Sequence, residues 1–313
     1  MRAHQVTEIA PGVYRAHGGA RTNVYLVRSG SSWVLVETGW RASAAAVRMA
    51  AESVFGPDAP PAAILLTHIH PDHAGSALLL AQAWRVPVFV HPAELPMAGP
   101  DYPPEYANPV DRWVSAAVLR VVPARTRQRM RAEGDLRGVV RGLDPHAGVP
   151  GLSDWECVPT PGHTPGHVAF YRRSDRVLIT GDAVLTMNPN SEWGLALGTQ
   201  RVSGPPRFFT WNWFAAADSI AALAGLEPQV LATGHGRPLV GLATPPALRA
   251  CADQVNAGTY RPESSPTADR RVAPGFFRPV DYSSRTGVPQ ARTFACSGWD
   301  RSLPPWGSAR STW

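Results

Sequence analysis

Three imidazoles and a carboxylate occupy the six positions from His68 to His73, in the order His-Ile-His-Pro-Asp-His, directly behind the apolar run Ala62-Ala63-Ile64-Leu65-Leu66. A lone histidine is ordinarily a hydrogen-bonded core or surface residue. Three within six positions beside an aspartate serve no folding requirement. Imidazole nitrogens and carboxylate oxygens together suit divalent zinc, iron or manganese. A metal site is therefore expected, and the remaining chain must supply its other ligands.

Three further segments offer them, each a short turn with glycine beside a plausible strand. Thr160-Pro161-Gly162-His163-Thr164-Pro165-Gly166-His167 is punctuated by prolines and glycines that cannot continue a helix. Val177-Leu178-Ile179-Thr180-Gly181-Asp182 reads as a buried strand ending in a carboxylate, and Val230-Leu231-Ala232-Thr233-Gly234-His235-Gly236 as another ending in a histidine. Ligands placed where strands give way to loops are held rigidly and remain reachable by a substrate.

With these four motifs in this order, the chain resembles the metallo-β-lactamase superfamily, whose pattern is HxHxDH, then His, then Asp, then His. The resemblance covers about residues 10 to 255. It implies an αββα sandwich and two divalent metal ions, zinc first, with iron or manganese as alternatives. His68, His70 and His163 would hold one ion. Asp72, His73 and His235 would hold the other, and Asp182 would bridge the pair. A water between two such ions loses a proton near neutral pH and becomes a nucleophile, while the ions polarise the substrate carbonyl. Asp72 and Asp182 are the catalytic carboxylates in this reading, Asp72 as proton carrier to the leaving group. His167 is expected to support the site from behind, as a hydrogen-bonding neighbour. His4, His17, His91 and His146 have no partner motif nearby.

Charge narrows the chemistry further. The chain has 30 basic side chains, all of them arginine, against 24 acidic ones. Without lysine there is no Schiff-base catalysis, and guanidinium is the only permanent cation for gripping anions. A small-molecule substrate is expected, an anionic one among the candidates. Arg112, Arg120, Arg125, Arg127, Arg129, Arg131, Arg137 and Arg141 cluster in mid-chain, where a solvated helix face and a substrate-facing wall are both open readings. No nucleic-acid module is recognisable, so nucleic acid is not the expected partner. No apolar run approaches a membrane span and no secretory signal pattern begins the chain, which predicts a cytoplasmic protein. Cys157, Cys251 and Cys296 are widely separated and read as reduced.

Periodicity gives strands over 13–16, 23–27 and 33–36, a helix over 42–55, a helix over 74–84 and a strand over 87–90. Helices are also expected over 210–226 and 246–256. One metallo-β-lactamase-like domain is thus expected over 1–256, with a helical insertion at about 99–150 read from Trp113, Ala116, Ala117, Leu119 and Val122. Residues 257–313 are rich in Ser, Pro, Arg, Thr and Gly and predict an irregular or partly disordered tail.

The expected function is dinuclear metal-dependent hydrolysis of an ester, thioester or lactone, closest to the glyoxalase-II-like branch. Asp182 carries that assignment, because β-lactamases of the superfamily generally lack a bridging aspartate. Two departures stand out: Glu37-Thr38-Gly39 where the family more often has Asp-Thr-Gly, and Leu185 where many lactonases have tyrosine. The alternatives are a mononuclear iron-dependent dioxygenase of the persulfide type and a metallo-nuclease.

Overall fold

The computed structural model describes residues 6–100, 106, 108, 122–190 and 200–258, together with two short strands at 278–280 and 293–295. The chain begins with β1 (Thr7–Ala10), β2 (Val13–His17), β3 (Asn23–Ser29) and β4 (Ser32–Val36), which form an antiparallel meander. Helix α1 (Ala44–Phe55) then crosses to β5 (Ile64–Leu65), which lies parallel to β4. The short α2 (Pro71–Ala74) and α3 (Ala77–Trp84) lead to β6 (Val88–Val90). After α4 (Ala124–Glu133), β7 (Val140–Gly142) completes a seven-stranded sheet in sequential order. The second sheet is built from β8 (Trp155–Pro159), β9 (Val168–Arg172), β10 (Val177–Gly181), β13 (Val230–Thr233) and β14 (Leu239–Val240). A ribbon of β11 (Leu185–Met187) and β12 (Gln200–Ser203) precedes α5 (Trp213–Gly225), and α6 (Thr244–Asn256) follows β14.

The side-chain alternation explains why these strands stack as layers. Along β3, Val24 and Leu26 enter a core with Val47, Ala50 and Ala51 of α1 and Ala77, Leu80 and Ala81 of α3. Their neighbours Tyr25 and Val27 point the other way, into a core shared with Phe170, Ile179 and Ala232 of the second sheet. Alternate residues of β9, β10 and β13, namely Tyr171, Leu178 and Leu231, meet Ile220 and Leu223 of α5 and Leu248 and Val255 of α6. Both sheets are apolar on both faces, so each must be covered twice. The result is helices, sheet, sheet, helices. That is the αββα sandwich expected from the motifs.

Local signals set several boundaries. Asn212 caps α5, its Oδ1 accepting the amides of Phe214 and Ala215 at 3.0 and 3.1 Å. The helix expected over 74–84 is broken at Gly75 and Ser76, because Gly75 packs against the backbone of Pro71, Arg41 and Gly39. The 99–150 segment supplies a helix, α4, and also a strand, β7, which pairs parallel with β6. On α4 and beyond, Arg125, Arg129, Arg131, Arg137 and Arg141 are exposed; Arg129 pairs with Glu133 and Arg137 with Asp135. Trp113, Ala116, Ala117, Leu119, Arg112 and Arg120 lie outside the described residues, as do His4 and Cys296.

By contacts the chain divides into Met1–Ala268 and Asp269–Trp313. In the second unit, β15 (Arg278–Val280) and β16 (Thr293–Ala295) pair antiparallel; the rest of 259–313 lies outside the described residues. No helix among the described residues is long and apolar enough to cross a membrane.

The central layer is the most sensitive to loss of volume. Phe170→Ala, at a fully buried position between the sheets, is expected to cost about 3–5 kcal/mol. Leu242→Ala, at a side chain 87% exposed, is expected to change stability by less than about 0.5 kcal/mol. Denaturant midpoints of the two variants against the parent check the contrast.

Candidate metal centre

All the sequence-predicted ligands leave strands at one edge of the sandwich. β5 runs into Thr67 and His68, and α2 carries Asp72 and His73. β8 runs into the turn bearing His163, β10 into Asp182 and β13 into His235. A hydrogen bond from Val168 N to Thr67 O, 3.0 Å, ties the two sheets together at this edge.

Two clusters form there. His70 Nδ1 lies 3.1 Å from His68 Nε2 and 2.9 Å from His163 Nε2, with all three rings buried. One proton can join two nitrogens but not three, so a trio facing one point has no satisfactory arrangement of hydrogens. Burial and the surrounding imidazoles push the His68 and His163 pKa values well below the ordinary range, keeping both rings neutral, as metal ligands must be. Their outer nitrogens face hydroxyls: Thr67 Oγ1 is 3.0 Å from His68 Nδ1, and Thr210 Oγ1 is 3.5 Å from His163 Nδ1.

The second cluster mixes rings and carboxylates. His235 Nε2 is 3.1 Å from Asp72 Oδ2, and His73 Nε2 is 3.6 Å from the same oxygen. Asp182 lies between the clusters, with Oδ2 3.6 Å from His163 Nε2 and 3.4 Å from His235 Nε2, and Oδ1 3.3 Å from His73 Nε2. Burial disfavours the charged form of every member, yet here opposite charges win. Asp72 and Asp182 are held below the usual carboxylate range, chiefly by His73 and His235. His73 is raised well above the imidazole range by Asp182, Asp72 and Glu37, and His235 to about 9 by Asp182 and Asp72.

Buried polar atoms remain unsatisfied at this point. Asp182 Oδ1 and both ring nitrogens of His73 are fully buried and make no hydrogen bond of good geometry. Such atoms are costly unless a cation occupies the space between them. Steric evidence agrees with this. A Cβ at Gly234 would strike Asp182 Oδ1 and come within 2.7 Å of His73 Cε1, so the residue before His235 must lack a side chain. The donor set and its unpaired buried atoms fit divalent cations. Three groups of residues bring ligand atoms close enough to hold an ion: His68, His70 and His163; Glu37, His68 and His73; and Asp72, His73 and His235.

Four further residues support the clusters; of these the sequence reading singled out His167, as a hydrogen-bonding neighbour, and Glu37, as a longer carboxylate beside the metal loops, but not Thr38 or Glu94. Glu37, buried with φ +66°, accepts the Thr67 amide at 2.9 Å and places its other oxygen 3.3 Å from His73 Nδ1. The departure from Asp-Thr-Gly thus supplies a longer arm to the same histidine that the loop must hold. Thr38 donates twice to the His73 carbonyl, from N and from Oγ1, each at 2.7 Å. Glu94 joins the two histidine loops by accepting Ile69 N at 3.1 Å and Gly166 N at 2.7 Å, and burial pushes its pKa up to about 7. The sole sequence hint of Glu94 is an acid inside an otherwise apolar segment. His167 pairs with Thr160 Oγ1 at 2.7 Å and accepts the Asp182 amide at 3.1 Å, so it positions Asp182 from behind. His91 follows β6 and accepts the Ala93 amide, outside both clusters.

The chain is similar to known proteins in sequence and in fold. A profile of the metallo-beta-lactamase superfamily matches residues 17–235. The probable metallo-hydrolase YflN of Bacillus subtilis is 38% identical over 224 residues, covering 70% of this chain and 82% of that protein. A second probable metallo-hydrolase of the same organism, YybB, is 27% identical over 218 residues, with the same coverage of 70% and 82%. Among solved structures, a metallo-beta-lactamase family protein from Thermus thermophilus superposes with TM-score 0.54 at 22% identity, over 80% of each chain. A beta-lactamase domain protein from Burkholderia ambifaria gives 0.51 at 22% identity, over 82% of this chain and 77% of that one. From its fold, its cluster of histidines and aspartates, and these matches, the chain belongs to the metallo-β-lactamase superfamily.

Proposed function

We propose that the chain is a dinuclear metal-dependent hydrolase of the glyoxalase-II-like branch, opening an ester, thioester or lactone. The observation that carries the reading is the placement of Asp182, whose carboxylate lies within 3.6 Å of histidines from both clusters. His68, His70 and His163 would hold one cation and Asp72, His73 and His235 the other, with the Asp182 carboxylate available to both. The identity of 38% to a probable metallo-hydrolase supports hydrolysis as the reaction class. Zinc is the first candidate, iron and manganese the alternatives. Two such ions supply a polarised carbonyl and a water acidic enough to ionise near neutral pH.

The chain's own contribution is position and proton handling. Buried neutral His68 and His163 present their Nε2 atoms without reorganisation, because hydroxyls fix the far side of each ring. The Asp182 side chain is 4% exposed, and its backbone N–H donates a hydrogen bond to His167 Nε2 that holds it in place, which suits a bridging group. The Asp72 side chain is 21% exposed, against 4% for Asp182, so Asp72 is the carboxylate better placed to pass a proton to a leaving group.

Asp182→Ala is expected to lose metal and hydrolysis together, with activity down by at least about a thousandfold, since one carboxylate serves both ions. Elemental analysis beside thioester and lactone assays checks this, and full metal content with retained turnover would contradict the bridging role. Gly234→Ala, which removes no ligand but sets a methyl against Asp182 Oδ1, is expected to weaken metal affinity by about tenfold or more by displacing Asp182, read by competition with a chelator.

Metal uptake should also depend on pH in a definite direction. In the metal-free protein His73 and His235 both carry protons at pH 7, since their pKa values are raised, that of His235 to about 9. Those protons must leave before a cation enters, so uptake at pH 7 should release about two protons. Affinity should rise as pH increases toward about 9 and fall on acidification. Calorimetry in buffers of different ionisation enthalpy measures the release, and an unchanged metal content at pH 5 would count against histidine ligation.

A further inference from the structure

Beside the metal centre, on the β2 side of the His235 loop, lies a cluster of basic groups that the reaction does not use. Arg15, on β2, donates from Nε to Asn23 Oδ1 at 2.7 Å, and its Nη2 lies 3.5 Å from both ring nitrogens of His17. Asn23 in turn donates to the carbonyls of Thr233 and Gly236 at 2.8 and 2.7 Å. A single amide side chain thus links the Arg15 guanidinium to the loop that presents His235. Arg237 follows on that loop and is exposed, and Gln200 Nε2 donates to its carbonyl at 3.4 Å. On the other side of the loop, Thr22 bridges to His235, and Asn23 N donates to Gly234 O at 2.8 Å.

Among the described residues no carboxylate pairs with Arg15 or Arg237, although elsewhere Arg41, Arg48, Arg129, Arg137, Arg172 and Arg173 each have one. The acids of the adjoining metal centre, Asp72 and Asp182, are committed to histidines. Burial pulls the Arg15 pKa down and the Arg237 charge acts the same way, while burial and then Arg15 pull that of His17 below the ordinary imidazole value, so this guanidinium lies among basic groups with no described carboxylate beside it. Holding a half-buried guanidinium by an amide next to another cation is unfavourable in isolation. A bound oxyanion removes the penalty, and the guanidinium fork matches carboxylate and phosphate geometry.

We propose that Arg15, His17 and Arg237 form an oxyanion-binding subsite beside His235, taking a carboxylate or phosphate carried by the substrate at a distance from the bond that is cleaved. The substrate class is therefore an ester, thioester or lactone with an anionic tail. This assignment rests on the hydrolytic reading of the metal centre.

The test uses metal-loaded protein and three thioesters alike except for a distal carboxylate, phosphate or neutral carboxamide. The parent should favour one or both anionic compounds over the carboxamide in kcat/KM, with carboxylate against phosphate telling which oxyanion the subsite takes. In Arg237→Ala that preference should fall by about tenfold, should partly return in Arg237→Lys, and should fall further in the Arg15→Gln, Arg237→Ala double variant. Metal content and melting temperature of each variant establish that it is folded, and the Arg237 change, at an exposed position, carries the least risk of misfolding. A preference that survives in the double variant, or a parent with none, overturns the subsite. Should the parent turn over none of the three compounds, nor the corresponding esters and lactones, the hydrolytic reading fails by itself. Calorimetric binding of the same compounds to parent and Arg237→Ala then decides the subsite: an anion preference that needs Arg237 upholds it, and one that does not overturns it.

Discussion

The carboxylate of Asp182 approaches imidazoles from three separate stretches of chain, His73, His163 and His235, and the architecture around it follows from keeping that group buried and ionised. A buried carboxylate left alone would take up a proton. Here positive charge on its neighbours prevents it, whether that charge comes from protons on His73 and His235 or from cations in their place. This edge of the sandwich thus gathers ionisable groups in a buried place. Its cost in unpaired buried atoms explains why so much surrounding structure is given to holding it still: Glu37 and Thr38 on the His73 side, His167 behind Asp182, Thr67 and Thr210 behind the first trio.

Much of this is readable from sequence because the motifs place polar ligands directly after short apolar runs. Val177 to Ile179 and Val230 to Ala232 are buried on both faces, so the carboxylate or imidazole that follows can only lie at a strand end. The αββα layering follows from the same alternation of strand and helix signals. What is not readable depends on contacts between distant segments. Glu94 is 25 residues from Ile69 and 72 from Gly166, and nothing local marks it as the acid that joins two histidine loops. Glu37 announces itself only as a departure from a familiar triplet.

Two elements differ from expectation for equally physical reasons. Strand β7 has three residues with one partly buried and two exposed positions, which carries no hydrophobic period; it exists because β6 offers an unpaired parallel edge. The helix expected over 74–84 is interrupted because the backbone of Gly39, Arg41 and Pro71 crowds Gly75, a constraint imposed by the loop after β4. Helix propensity alone would have continued through it. In both cases tertiary packing overrides the local signal.

Glycine has opposite meanings at the two edges of the sandwich. At the metal edge Gly39, Gly75, Gly162, Gly181, Gly234 and Gly236 are walled in, and any side chain there would collide with backbone or with a site residue. At the far edge Gly30 and Gly241 face open space, with no atom within 4 Å of where a Cβ would stand. The scaffold therefore has a crowded rim, where even a methyl group has no room, and at Gly30 and Gly241 an uncrowded one, where a longer side chain or an inserted loop would meet only solvent.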